Sequence, residues 1–146
     1  MVQEITRFAR DYDITIVDTP PVKGGVALAT IRASDLVVIP IKPGALDLWA
    51  TMETIEQVRD HRSARPELQA TFVINMKDRS AISRDIGKVL AQFDDVPIQP
   101  TEVWERRGPF NNAITFGETV VDQQQKRNQA RDEIIALAKN LIGDQA

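Results

Sequence analysis

The fold of this chain is decided by the stretch Ile14-Thr15-Ile16-Val17-Asp18-Thr19-Pro20-Pro21. Its first four residues form an unbroken apolar and β-branched run, which predicts a strand buried on both faces, as in a parallel sheet. The two prolines end that strand, so the carboxylate of Asp18 falls at its carboxyl end. Ligands of open α/β sheets bind at that end of the strands. Asp18 is therefore a candidate to hold a metal ion or order a water molecule, and the alternative is that it caps a turn.

The composition is that of an ordinary globular protein, since 42% of the 146 residues are hydrophobic and 27% are charged. With a net charge of −3, any binding of nucleic acid must use a local patch. The absence of cysteine excludes disulfides and thiolate metal sites. No apolar run approaches the ~20 residues of a membrane span, and the first residues do not resemble a signal peptide. We expect a cytoplasmic protein with no membrane partner.

Further strands and helices alternate along the rest of the chain. Strands are expected at Leu36–Ile39, where Pro40 ends the run, at Ala70–Ile74, and at Val96–Ile98 with an extension after a break. Apolar spacing predicts helices over 3–10, 46–61, 82–93, 109–116 and 124–142, and small residues predict a helix of about two turns that ends at Ala33. Ser80 is expected to be the N-cap of the helix over 82–93, and Gly117 is expected to end the helix over 109–116 in the left-handed conformation. This order predicts an α/β fold, a parallel sheet with helices on both faces, in a single domain over 1–146.

The carboxyl ends of parallel strands meet at one edge, where polar residues of this chain should collect. The residues expected along that crevice are Asp18, Thr19, the segment 40–42, Asn75, Lys77 and Asp78. The Asn75 side chain carries both a donor and an acceptor, which suits it to reading the edge of a base.

Two other features have competing interpretations. Lys23-Gly24-Gly25 follows a strand and precedes a helix, but no G-x-x-x-x-G-K-[ST] pattern continues from it, so it does not read as a phosphate loop. The terminal helix carries Lys126, Arg127 and Arg131 and is mildly basic. Such a face is either merely solvated or contacts a phosphate backbone.

Several of these stretches together resemble the ParA/MinD-type partition ATPases, which have a P-loop NTPase-like fold. Residues 12–21 resemble the Walker B and switch II stretch of that family, 33–41 the following strand, and 43–50 the next loop and helix start. Residues 72–75 resemble the strand that leads to the adenine pocket. The last similar run is Arg107, Phe110, Ala113, Gly117 and Val120. The plasmid-partition branch fits better than MinD, because residues 142–146 are not a basic amphipathic membrane tail.

The resemblance implies an ATPase that uses ATP and Mg²⁺ to form a sandwich homodimer. Such a dimer binds non-specific DNA at the nucleoid, and a partition adaptor, a centromere-binding protein, stimulates hydrolysis. By position, Asp18 would hold Mg²⁺ through water and sense the γ-phosphate, Thr19 and Pro20 would belong to switch II, and Asn75 would lie near adenine. The implied DNA-binding residues are Lys126, Arg127 and Arg131.

The sequence departs from that family because no Walker A loop is present in it. We therefore expect an N-terminally incomplete chain, corresponding to the carboxy-terminal part of a ParA-like fold and impaired in ATP hydrolysis, which rests on positioning and electrostatics. The alternative is a non-hydrolysing interaction module that binds DNA, a partition partner or an intact homologue. An unrelated receiver- or flavodoxin-like module is the weakest option, because Asp18 has no clustered acidic neighbours at its strand.

Overall fold

Six helices and two strands are formed by the residues that the computed structural model describes, 2–19, 25–123 and 128–143. In chain order they are α1 (Val2–Asp11), α2 (Gly25–Ala33), β1 (Leu36–Ile41), α3 (Ala45–Arg62), β2 (Gln69–Ile74), α4 (Ala81–Leu90), α5 (Arg107–Thr115) and α6 (Gln129–Ile142). The alternation of helices and strands confirms the predicted α/β class. None of the described helices is long and apolar enough to cross a bilayer.

The two strands pair in parallel, with α3 as the connection between them. The N–H of Gln69 donates to the carbonyl of Asp35 at 3.0 Å, and the N–H of Asn75 donates to the carbonyl of Ile41 at 2.8 Å. The same offset along both strands is the pattern of a parallel ladder. The pair confirms the parallel sheet that the sequence predicts.

A third segment runs along the other side of β2. Phe72 pairs with Ile98, and Lys77 pairs with Trp104, both through isolated parallel bridges. The N–H of Val103 also donates to the carbonyl of Ile74 at 2.9 Å. The short strand predicted at Val96–Ile98 and its extension after a break are therefore present as isolated bridges to β2. Because pairing on both sides puts β2 in the interior, every residue from Ala70 to Ile74 is buried.

Pro40 lies inside β1, although the sequence predicts that it ends the strand at Ile39. The backbone N–H and C=O groups of successive residues in a strand point to opposite edges, and the carbonyl of Ile41 points toward β2. Pro40 therefore faces the edge away from β2, where its missing N–H removes no hydrogen bond of the ladder.

The opening stretch differs from its prediction. Residues 12–19 contain no strand, and the side chains of Ile14 and Ile16 are 37% and 86% exposed. A strand is stable only when neighbouring strands accept its backbone hydrogen bonds, and the described sheet consists of β1 and β2 with the bridged segment. An apolar run alone therefore did not suffice to form a strand, and Asp18 does not close one.

Two predicted signals at the ends of the later helices are confirmed, although the bounds of those helices differ from the predicted ones. The hydroxyl of Ser80 accepts a hydrogen bond from the N–H of Ser83 and caps α4, as predicted. Gly117 has a φ of +67° after α5, the left-handed conformation expected of its stop. Asn128 is extended and caps α6, which begins at Gln129, so the predicted helix over 124–142 does not run through residue 128; residues 124–127 lie outside the described residues.

The chain divides into two compact units, each with its own buried side chains. The first consists of Met1–Val37 with Met52–Ala70, and the second of Val38–Thr51 with Thr71–Ala146. Ile31, Ile55, Val58 and Leu68 are buried in the first unit. Buried residues of the second include Phe72, Ile86, Leu90 and Val96, and the cluster of Ala113, Val120 and Ala130 against Phe110 and Ile134. A single domain over 1–146 stays a prediction.

Candidate functional site

Asp18 and Thr19 lie in the irregular segment after α1, and both side chains are exposed. Pro20 and the glycine-containing stretch up to residue 24 lie outside the described residues. Asp18 and Thr19 belong to the first unit, whereas Asn75, Lys77 and Asp78 belong to the second. One crevice shared by all of them therefore stays a prediction, as do the metal and switch roles of Asp18, Thr19 and Pro20.

The carboxyl ends of β1 and β2 do bring predicted residues together. The hydrogen bond from Asn75 to Ile41 places the end of β2 beside the end of β1, close to Lys42. The Asn75 side-chain Oδ1 accepts a hydrogen bond from the N–H of Met76 at 2.9 Å. Met76 has a φ of +51°, so the chain turns sharply there. Asn75 is half-buried at this edge, and its proximity to a nucleotide base stays a prediction.

A charged and aromatic cluster follows Met76. The ammonium of Lys77 lies 2.5 Å from a carboxylate oxygen of Glu102 and 5.4 Å from the centroid of the Trp104 ring. The side chain of Lys77 is 17% exposed and that of Glu102 is 31% exposed, so the pair is partly screened from water. Lys77 is thus fixed at the carboxyl end of β2.

Asp78 is held ionised by the start of α4. The hydroxyl of Ser80 donates to its carboxylate at 2.5 Å and the N–H of Ser80 donates at 3.0 Å. Hydrogen bonds from the Ser80 and Ser83 side chains and from the Ser80 backbone, with a smaller effect of the Lys42 charge, lower the pKa of Asp78 to about 2. The charge on Asp78 therefore helps to shape the turn before α4.

The basic residues near the last helix are only partly described. Lys126 and Arg127 lie outside the described residues. Arg131, in the first turn of α6, is half-buried, and its Nε donates to the carbonyl of Val121 at 3.2 Å. The Arg131 side chain therefore has a structural contact, and a DNA-binding role for all three residues stays a prediction.

One ion pair near α6 has no signal in the sequence. A carboxylate oxygen of Glu133 accepts hydrogen bonds from the guanidinium of Arg106 at 2.5 Å and from the N–H of Trp104 at 3.1 Å. The partners are separated by 27 positions along the chain, so no periodicity connects them. Only the pairing of the bridged segment with β2 and the packing of α6 bring them together.

The described residues do not by themselves fit a complete site for ATP and Mg²⁺. No group of three His, Asp or Glu side chains gathers among them, and Asp18 is the one carboxylate that the resemblance assigns to the metal. A groove of about 260 Å³ is lined by Gln3, Thr6, Arg7 and Arg10. All four belong to α1, and the groove is lined by none of the residues predicted to bind the nucleotide.

Comparison with known proteins gives matches along the chain. The sequence model of a family described as "AAA domain" matches residues 1–70. "Maintenance of carboxysome distribution protein A" of Halothiobacillus neapolitanus is 31% identical over 143 residues, 97% of this chain. A "ParA family protein" of Mycoplasma pneumoniae is 27% identical over 78 residues, 51% of this chain. "Maintenance of carboxysome distribution protein A" of Gloeobacter kilaueensis is 38% identical over 64 residues, 43% of this chain.

The matches cover only part of the relatives themselves. The chain spans 65% of the length of the Halothiobacillus protein. It spans 29% of the Mycoplasma protein and 27% of the Gloeobacter protein. The alignment with the Halothiobacillus protein therefore extends over nearly the whole of this chain, whereas each relative is aligned over only part of its own length.

Proposed function

Because the chain belongs to the ParA/MinD-type ATPase family, we propose that it serves to position a large intracellular cargo through ATP-dependent binding to DNA. The observation that carries this proposal is the 31% identity with a carboxysome-distribution protein across 97% of the chain. A carboxysome-like body is therefore a better candidate cargo than a plasmid. Family membership supports a homodimer that binds ATP, Mg²⁺ and non-specific DNA at the nucleoid, and an adaptor protein that connects it to the cargo.

Within this proposal, Asp18 would hold Mg²⁺ through water and sense the γ-phosphate, and Thr19 and Pro20 would belong to switch II. The exposure of Asp18 and Thr19 leaves both side chains accessible to a ligand. Asn75 lies at the carboxyl end of β2, the end of a parallel strand at which nucleotides bind, and it supplies an amide for the base. Lys126, Arg127 and Arg131 supply positive charge for DNA phosphates.

The nucleotide part of the proposal is tested by titrating a fluorescent ATP analogue with and without Mg²⁺. We expect Asp18→Asn to weaken Mg²⁺-dependent binding about 10- to 100-fold, the usual effect of losing an outer-sphere partner of a metal. Asp13→Asn is the matched control, because Asp13 is an exposed carboxylate in the same segment. Equal effects of the two substitutions, or binding indifferent to Mg²⁺, would contradict the role of Asp18.

A second candidate function is a non-hydrolysing module that binds DNA, an adaptor or an intact homologue. It is favoured by the described residues, which offer one carboxylate for Mg²⁺ and no cluster of three ligands. This candidate predicts no binding of the ATP analogue together with salt-sensitive retention on DNA. The double substitution Lys126→Glu with Arg127→Glu should then lower the slope of log K against log salt by about two. Lys88→Glu, on the exposed face of α4, is the control.

A further inference from the structure

The carboxylate of Glu133 connects α6 to the segment that pairs with β2. Its Oε2 atom accepts from Arg106 and from the Trp104 N–H, and Arg106 also donates to the Gln129 side chain at 3.2 Å. The Glu133 and Arg106 side chains are 19% and 24% exposed, so much of the pair is shielded from water. A charged pair with additional hydrogen bonds in such a setting is directional and is weakened little by salt.

Glu133 lies near the start of α6, where its position matters most. Arg131 is two residues earlier, and its side chain contacts the carbonyl of Val121. Asn128 caps the same end of the helix. Fixing Glu133 therefore fixes the rotation of the first turns of α6 relative to residues 104–106, and with it the direction in which this end of the helix presents Arg131.

The segment that Glu133 joins to α6 also contacts the carboxyl end of β2. The N–H of Lys77 donates to the carbonyl of Val103, and the N–H of Glu105 donates to the carbonyl of Lys77, each at 2.9 Å. The Lys77 ammonium lies over the Trp104 ring, and the backbone N–H of Trp104 donates a hydrogen bond to the Glu133 carboxylate. A continuous series of contacts within the second unit therefore runs from the end of β2 to α6.

We propose that Glu133 is a positioning residue that latches α6 to the Trp104–Arg106 segment and couples the carboxyl end of β2 to the presentation of α6 to DNA. The DNA part rests on the proposed function. The pairing with Arg106 has a second consequence, because it neutralises a carboxylate that would otherwise repel phosphates close to Arg131. Glu133 thus assists binding without touching DNA.

The direction in which Glu133→Ala changes DNA affinity shows whether Glu133 acts by positioning α6 or only by its negative charge. Removing an acidic residue from a DNA-binding surface should by charge alone tighten binding. We expect Glu133→Ala to weaken binding about tenfold, which corresponds to 1.4 kcal/mol, without reducing the salt slope, because no phosphate contact is lost. Glu133→Gln keeps an acceptor for Trp104 and Arg106 and should recover most of the affinity. The control is Asp132→Asn, an exposed carboxylate one residue away.

Amide hydrogen exchange tests the latch independently of DNA. In Glu133→Ala the amides of Trp104 and of residues 131–134 should exchange faster, and Lys77→Ala should produce a smaller change at the same α6 amides. Tighter or unchanged DNA binding by Glu133→Ala overturns the DNA role, and α6 amides insensitive to both substitutions overturn the latch. If the unsubstituted protein fails to bind DNA, the proposed function and the DNA role fail together, while exchange still decides the latch.

Discussion

Asn128 shows how a single side chain can stabilise one group and leave another unsatisfied. Its Oδ1 accepts a hydrogen bond from the N–H of Arg131 at 3.3 Å, which caps α6. The residue is 6% exposed, and its Nδ2 has no hydrogen-bond partner in the part of the chain that the structure describes. A buried donor without a partner costs about 1–3 kcal/mol, which offsets the value of the cap.

We expect Asn128→Ser to raise the free energy of unfolding by about 1 kcal/mol. The serine hydroxyl keeps the cap and removes the buried N–H₂ group. Urea denaturation followed by circular dichroism measures the change, and Asn112→Ser on the exposed face of α5 is the control, with an expected effect within about 0.5 kcal/mol. A clear loss of stability in Asn128→Ser would show that Nδ2 does have a partner in solution.

At the scale of the element, α3 and α4 bury most of their predicted apolar faces, Ile55 and Val58 in α3 and Ile86 and Leu90 in α4, but each helix exposes one residue of that face. Sequence periodicity places Met52 of α3 and Ile82 of α4 inward, yet they are 47% and 45% exposed. Their neighbours Thr51 and Ser83 are buried instead. The Thr51 hydroxyl donates to the carbonyl of Asp47, and the Ser83 hydroxyl accepts from the N–H of Asp78, so both polar groups are satisfied internally. Counting apolar residues cannot detect such burial.

The two isoleucines of α4 should therefore respond differently to substitution. Ile86 is 2% exposed, so Ile86→Ala should cost about 2–5 kcal/mol of unfolding free energy through lost burial and a cavity. Ile82→Lys should change it by no more than about 0.5 kcal/mol, because the side chain already faces water. If chemical denaturation showed that the two substitutions destabilise the protein equally, Ile82 would face inward, as the periodicity predicts.

At the scale of the whole molecule, the first unit exposes apolar side chains along the opening stretch. Phe8 and Tyr12 are 55% and 64% exposed, and Ile16 is 86% exposed within an extended apolar run that belongs to no strand. Exposed β-rich segments with unpaired backbone groups pair readily with other chains. We therefore expect the stretch that resembles the Walker B and switch II segment to favour association between chains.

We expect the protein to self-associate as its concentration rises, and Ile16→Lys to reduce that association. A charge in the run opposes strand pairing, whereas Leu46→Lys, equally exposed but on α3, should have a smaller effect. Static light scattering over a concentration series measures both variants. A monodisperse monomer at every concentration, or equal effects of the two substitutions, would contradict association through this run.

The sequence by itself determined the α/β class, a parallel pair of strands at 36–39 and 70–74, the caps at Ser80 and Gly117, and the family, because these depend on local patterns and on motif order. Only the tertiary structure decided that residues 14–17 form no strand, that Pro40 continues β1, and that Glu133 meets Arg106 and Trp104. Each of these outcomes depends on which backbone or side chain lies opposite. A strand, an edge and an ion pair are properties of pairs of segments, and a linear pattern specifies only one member of each pair.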